Sequence, residues 1–179
     1  GRHPRAPGVC CARREANVRV LCGLDLRTDG HRELFAQSAR FATLAGARLD
    51  VMYAAGSTEA EVSQWRFALD ELLAKVPEAA RGEAFAASGD PVSLLLERAP
   101  KYQTLIVGSR PPGGLERLLL GPIAIRILRR APCPVFVPRV GGETLPEVPI
   151  RRLLLGVDLH GPGQPWLINE AATWAQRFS

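Results

Sequence analysis

Apolar runs alternate with amphipathic stretches along most of the chain. Residues 17–24 (NVRVLCGL) are mostly apolar and rich in β-formers, which predicts a strand buried on both faces. Asp25 ends that run, and Thr28 or Asp29 is placed to cap a helix with Leu34, Ser38, Phe41, Ala42 and Ala45 along its inner face. Gly46 stops this helix. Residues 48–54 (RLDVMYA) predict a second strand, in which Asp50 interrupts the apolar character and implies one wet side. Ser57 or Thr58 begins a second helix, whose stripe of Val62, Trp65, Leu69, Leu72, Leu73 and Val76 ends before Pro77. Trp65 is expected as a core anchor.

Residues 83–87 predict a short third strand, and Pro91 suits the first position of a helix carrying Val92, Leu95, Leu96 and Ala99. Pro100 ends it. Residues 104–107 predict a fourth strand, followed by a glycine-rich turn at 108–114 (GSRPPGG). A long helical pattern over 115–131 places Leu115, Leu118, Leu119, Ile123, Ile127 and Leu128 on its apolar face. Residues 133–138 (CPVFVP) predict a fifth strand at a sheet edge, since prolines bound it.

Five strands alternating with helices imply an α/β fold, a doubly wound parallel sheet with right-handed crossovers and helices on both faces. In the common five-stranded order, ligands bind where the chain reverses direction at the strands' carboxyl ends. With the first strand beside the fourth, Asp25 and Gly108 meet at that crevice. A glycine turn between a buried strand and a helix offers outward N–H groups and a positive helix end, the ingredients of a phosphate site.

Residues 1–16 carry Pro, Gly and Arg without periodicity and are expected to be a flexible leader. Residues 140–149 are expected to be a linker. After it the first strand recurs: residues 19–26 (RVLCGLDL) align without a gap to 152–159 (RLLLGVDL). In the same register, 37–42 (QSARFA) match 170–175 (EAATWA), and the shared offset argues for an internal repeat. Residues 150–179 therefore read as the opening strand and helix of a second unit. Gly1 at the start, with Met52 as the only methionine, gives the chain the look of a piece of a longer protein.

Composition changes this picture little. Apolar residues make up 46% and charged residues 23%, an ordinary globular balance. No membrane-length apolar run or signal-like leader is present in the sequence, which favours a cytoplasmic setting. Cys10, Cys11, Cys22 and Cys133 form no C-x-x-C pair and lie at no zinc-ligand spacing from His3, His31 or His160. The net charge of +5 is mostly arginine, partly in the leader and partly at Arg126, Arg129 and Arg130 late in a helix, where cations complement the dipole. No basic stripe interleaved with aromatics points to nucleic acid.

Several short motifs then occur in order: Gly89-Asp90-Pro91, 105–110 (LIVGSR), 114–121 (GLERLLLG) and 131–137 (APCPVFV). In these, residues 17–139 resemble a universal stress protein domain, and 150–179 resemble the start of a second copy. The resemblance implies an adenine-nucleotide-α-hydrolase-like sheet of order 3-2-1-4-5. It also implies a fifth strand that pairs across a homodimer or with the second domain. ATP-binding members carry Gly-x2-Gly-x9-Gly-Ser/Thr at the fourth strand and following helix. Gly108 and Gly121 match the first and third glycines, whereas Pro111 replaces the second and Pro122 replaces the Ser or Thr. Asp25 matches the family's acidic residue after strand one, and Ala54 takes the place of a residue lining the adenine pocket.

The nucleotide-binding candidates are thus Asp25, Ala54, Gly108, Arg110, Gly113, Gly114 and Gly121. Pro111 and Pro122 have no N–H for a phosphate, and Pro122 also lacks a hydroxyl. Gly113 and Gly114 keep an anion nest open, and Arg110 and Arg117 carry charge nearby. The expectation is a degenerate site with no cofactor, in a protein that acts in stress response through protein interaction. The alternative is an ATP-binding member, with Mg-ATP in a remodelled loop and weak hydrolysis. A further alternative is a flavoprotein-like or nucleotide-α-hydrolase-like enzyme, because the fold alone does not assign function. No nucleophile elbow, Ser/His/Asp order or paired carboxylates supply a catalytic set.

Overall fold

The computed structural model describes residues 18–55, 58–109, 120–138, 150, 152–156 and 164–178. The strands are β1 (Arg19–Gly23), β2 (Arg48–Ala55), β3 (Arg81–Ser88), β4 (Thr104–Val107) and β5 (Val135–Phe136). The helices are α1 (His31–Leu44), α2 (Glu59–Leu73), α3 (Pro91–Arg98), α4 (Pro122–Leu128) and α5 (Gln164–Arg177). The strands form one parallel sheet of order β3-β2-β1-β4-β5, as the alternating pattern implied.

Each face of the sheet has its own core. Val20, Cys22, Leu49 and Val51 point toward α1 and α2, meeting Phe41, Ala42, Leu69 and Leu73. Leu21, Leu105 and Val107 point the other way, toward Val92 and Leu95 of α3 and Ile127 of α4. Alternate residues of one strand thus feed opposite layers, as period-two side chains must. Burial raises the Cys22 thiol to about 12, so this cysteine behaves as a small core residue.

Local signals account for most element ends. Thr58 caps α2 in a full capping box with Glu61, and Asp90 caps α3 by accepting from the Ser93 N–H at 3.0 Å. Pro91 stands in the first turn of α3. The start of α1 differs from expectation. Its cap position is Gly30, without a capping side chain, because Thr28 Oγ1 instead donates to the Asp25 carbonyl at 2.9 Å.

The helix after the glycine turn also differs. Residues 115–119 lie outside the described residues, Leu120 and Gly121 are not helical, and α4 begins at Pro122. Proline favours that first position, because its fixed φ suits the helix and its missing N–H would lack an intrahelical partner anyway. The buried face of α4 is Ala124 and Ile127, whereas Ile123 and Leu128 are exposed.

Asp50 is the other departure. It is fully buried rather than wet. One carboxylate oxygen accepts from the Glu83 N–H at 2.8 Å; the other accepts from the Tyr102 hydroxyl at 2.7 Å and from Arg19 Nη2. The β2–β3 register shifts here, with Leu49 opposite Arg81 but Val51 opposite Ala84. Asp50 therefore faces two residues of β3, the geometry of a bulge. Gly82 sits in that bulge because a Cβ there would collide with Asp50 Oδ1 and the Leu49 carbonyl.

Beyond β5, residues 152–156 form no strand, and Leu154 is fully exposed. Helix α5 lies in the stretch expected to open a second unit, and it packs against the core of the five-stranded unit. Its Trp174 and Phe178 pack on Phe41 at ring separations of 5.1 and 5.8 Å, and Phe136 of β5 stacks on Phe41 at 4.6 Å. The leader, the linker and Asp158 lie outside the described residues.

Burial and the Asp50 carboxylate raise the pKa of Tyr102, so the fold holds its proton more tightly than the unfolded chain does. The stability this contributes is complete below about pH 10 and is lost as pH rises beyond it. Tyr102→Phe is expected to lower stability by about 1–2 kcal/mol at pH 7, through the lost hydrogen bond. Urea titrations across the alkaline range should then show a flatter decline for the variant than for the parent chain.

Candidate functional site

At the carboxyl ends of β1, β2 and β4 the sheet opens into a cavity of about 800 Å³. It lies where the chain reverses direction between β1 and β4, the switch point of a doubly wound sheet. Asp25, Ala54, Gly108 and Gly121 all line it. Four of the seven candidates from the sequence are thus brought together. Arg110, Gly113 and Gly114, with Pro111, lie outside the described residues.

The depth of the cavity is set by small residues. Gly23 ends β1 where Leu95 of α3 comes so close that a Cβ would stand 2.7 Å from Leu95 Cδ1. A Cβ at Gly108 would stand 3.1 Å from Leu34 Cδ2 of α1. Met52, Val107 and Leu94 make the remaining inner wall apolar, and Ile123 stands at its α4 side.

The polar groups collect on the loop between β1 and α1. Asp25 Oδ1 accepts from the Arg27 backbone N–H at 3.2 Å, and the Arg27 Nε lies 3.6 Å from the same oxygen. The Arg27 guanidinium is 5.8 Å above the centre of the Tyr53 ring. Tyr53 in turn meets Trp65 edge-on at 5.1 Å. Burial raises the Tyr53 hydroxyl pKa, partly opposed by the neighbouring Arg27. His31 stands at the start of α1, where its Nδ1 donates to the Thr28 carbonyl at 2.6 Å, leaving Nε2 as the other ring nitrogen. Asp29 also lines the cavity.

Sequence reasoning passed over Arg27 and Tyr53. The available signal was position alone: Arg27 is two residues beyond the strand-end carboxylate, and Tyr53 immediately precedes Ala54. Among the described residues, no group of three or more His, Cys, Asp or Glu side chains is arranged to hold a metal.

The opposite side of the crevice is built from the end of β4 and the start of α4. Gly121 caps that helix, and its own N–H donates to the Ser109 carbonyl at 3.3 Å. The next residue, Pro122, has no N–H. Two consecutive positions at the positive end of the helix are therefore withdrawn from any anion, one by a hydrogen bond and one by covalent structure.

Residues 17–139, well over half of the chain, match the universal stress protein family. The chain belongs to that family. A universal stress protein of Mycobacterium tuberculosis (strain H37Rv) is 32% identical over 83 residues, covering 46% of this chain and 26% of the relative. A universal stress protein of Mycobacterium bovis matches to the same extent. This chain's match therefore spans only about a quarter of the length of those curated relatives.

Solved structures of the family share the fold. The universal stress protein UspA from Lactobacillus plantarum superposes with a TM-score of 0.56 at 19% identity, covering 67% of this chain and 96% of that one. A universal stress protein in complex with cAMP gives 0.54 at 22% identity, covering 70% and 98%. One from Archaeoglobus fulgidus in complex with dAMP gives 0.54 at 16% identity, covering 68% and 98%. At these identities the likeness establishes the architecture, while the chemistry of the crevice has to be read from this chain's own residues. No helix among the described residues is long and apolar enough to cross a membrane.

Gly23→Ala is expected to push Leu95 toward the cavity and to lower stability by about 1–3 kcal/mol, the usual cost of overpacking. Thermal unfolding of the variant measures this. An unchanged midpoint would show that Leu95 has room to move aside.

Proposed function

We propose that this chain is a non-enzymatic module of the stress response. It acts through association with other proteins, and its crevice takes a nucleoside or nucleoside monophosphate in preference to a polyphosphate. The observation that carries this reading is the start of α4, where the Gly121 N–H is spent on the Ser109 carbonyl and Pro122 has none to give. Hydrogen bonds to a charged group contribute about 1.5–3 kcal/mol each, so losing two weakens a phosphate grip on the order of a hundredfold or more. Pro111, where ATP-binding members carry glycine, removes a further backbone donor on residue chemistry alone.

The rest of the crevice keeps what a base and sugar need. It offers apolar walls from Met52, Leu95 and Val107 beside a carboxylate at Asp25. The ligands named for two structural neighbours, cAMP and dAMP, are both adenine monophosphates and agree with a site that depends little on a polyphosphate. In this reading the protein works in the cytoplasm without a chemical step of its own. It pairs as a homodimer, or with its own second unit, through the open edge of β5.

Titration calorimetry with adenosine, AMP and Mg-ATP tests the proposal. AMP should bind, and Mg-ATP should bind no tighter than AMP. Replacing both prolines (Pro111→Gly with Pro122→Ser) should tighten ATP selectively. ATP affinity a hundredfold above that of AMP in the parent chain would overturn the proposal and favour the remodelled ATP site. Light scattering gives the association state, and a monomer at high concentration would remove the homodimer.

A further inference from the structure

The crevice has two walls of opposite chemistry. The charged side chains among its described lining residues are Asp25, Asp29 and Arg27, all from the β1–α1 loop. Two carboxylates against one guanidinium leave that wall net negative, and Arg27 Nε already lies 3.6 Å from Asp25 Oδ1. Every described lining residue beyond Ala54, by contrast, lacks a side-chain nitrogen or oxygen. Pro91, Leu94 and Leu95 come from α3, Val107 from β4, and Ile123 and Ala124 from α4. The backbone adds few donors here. Pro91 and Pro122 have no N–H, the Leu94 N–H is bonded to the Asp90 carbonyl at 3.0 Å, and the Gly121 N–H to Ser109.

This second wall is built in advance. Arg126 of α4 donates to both carboxylate oxygens of Asp90, the cap of α3, at 3.3 and 3.4 Å, which ties the starts of the two helices. Leu95 and Ala124 are buried, and Leu94 is half-buried. Ile123 differs, since it lines the cavity while 42% exposed. An apolar group laid against it takes water from both partners, and each fully buried methylene tightens binding roughly fourfold. A charged group at the same place gives up its hydration for little in return.

We propose that the α3–α4 wall is an apolar subsite, and that the crevice takes an uncharged nucleoside bearing an apolar substituent. The sugar lies at the β1–α1 loop, where carboxylates accept from its hydroxyls, and the substituent lies against Leu94, Leu95 and Ile123. The proposal rests on the nucleoside reading given above and narrows it, from nucleosides and their monophosphates to nucleosides extended by an alkyl or aryl group. The ligand is then amphipathic in the same sense as the cavity: hydrogen-bonding at one end, apolar at the other.

Calorimetry on the full chain tests this with adenosine, AMP and two homologous series running from methyl to butyl. One series carries the alkyl group as a thioether on the 5′ carbon of adenosine, the other on the exocyclic amine of the base. In the series whose alkyl group meets the wall, affinity should climb roughly tenfold or more from methyl to butyl, past that of AMP. Ile123→Asp should flatten the climb, and Ile123→Leu should preserve it. Aspartate suits the first turn of a helix, so the melting midpoint of that variant should match the parent and separate lost contact from lost fold. A flat response in both series overturns the proposal, as does a climb that Ile123→Asp leaves intact, or AMP binding tighter than every alkylated adenosine. If adenosine binds and both series stay flat, only the apolar subsite falls. If neither adenosine, AMP nor any derivative binds, the nucleoside reading falls and takes this inference with it.

Discussion

A single buried carboxylate holds the register on which the sheet depends. Parallel strands slip easily in pattern terms, because a continuous apolar run satisfies either face. Asp50 removes that freedom. Its two oxygens collect a backbone N–H from β3, a hydroxyl from the segment before β4 and a guanidinium from β1. A shift of one residue in any of these strands would leave a desolvated charge without partners, a penalty of several kcal/mol. The bulge at Gly82 is the backbone's accommodation to this side chain. The ion pair is best understood as a device for uniqueness, since burying a charge costs about as much as its partners return.

With the register held at that end, the carboxyl ends of β1, β2 and β4 can stay open. The crevice is shaped by glycines where helices approach, by apolar residues along its depth and by the polar loop after β1. At the start of α4, Pro122 has no N–H and the Gly121 N–H is bonded to the Ser109 carbonyl. The fold thus keeps a cavity whose α4 side offers few backbone donors.

The sheet order, the alternation of elements and the inner faces of α1 and α2 were legible because each rests on a local period. Phe41, Ala42, Leu69 and Leu73 are buried where the three-and-four spacing put them. Asp50 was misread because its partners Arg19, Glu83 and Tyr102 lie 31 to 52 residues away, beyond the reach of any window. The start of α4 was misplaced because apolar spacing from residue 115 onward outweighed the Gly-Pro pair at 121–122, itself a start signal. In the crevice, Asp25 and the glycines were recognisable by family pattern, whereas Arg27 and Tyr53 become neighbours only when the loop after β1 folds over the end of β2. Residues 152–156, expected as the opening strand of a second unit, form no strand. Trp174 and Phe178 lie against Phe41.

Because Asp50 lies toward the opposite end of the strands from the cavity, this sheet divides its tasks along its own length. One end bears the cost of specifying a single pairing; the other is relieved of that duty. Sequence drift is then unequally tolerated. Residues around the carboxylate are bound to one another and must change together or not at all. The mouth of the crevice can change without unpicking the framework behind it. A scaffold partitioned in this way can lose one ligand and acquire another while remaining the same protein in every other respect.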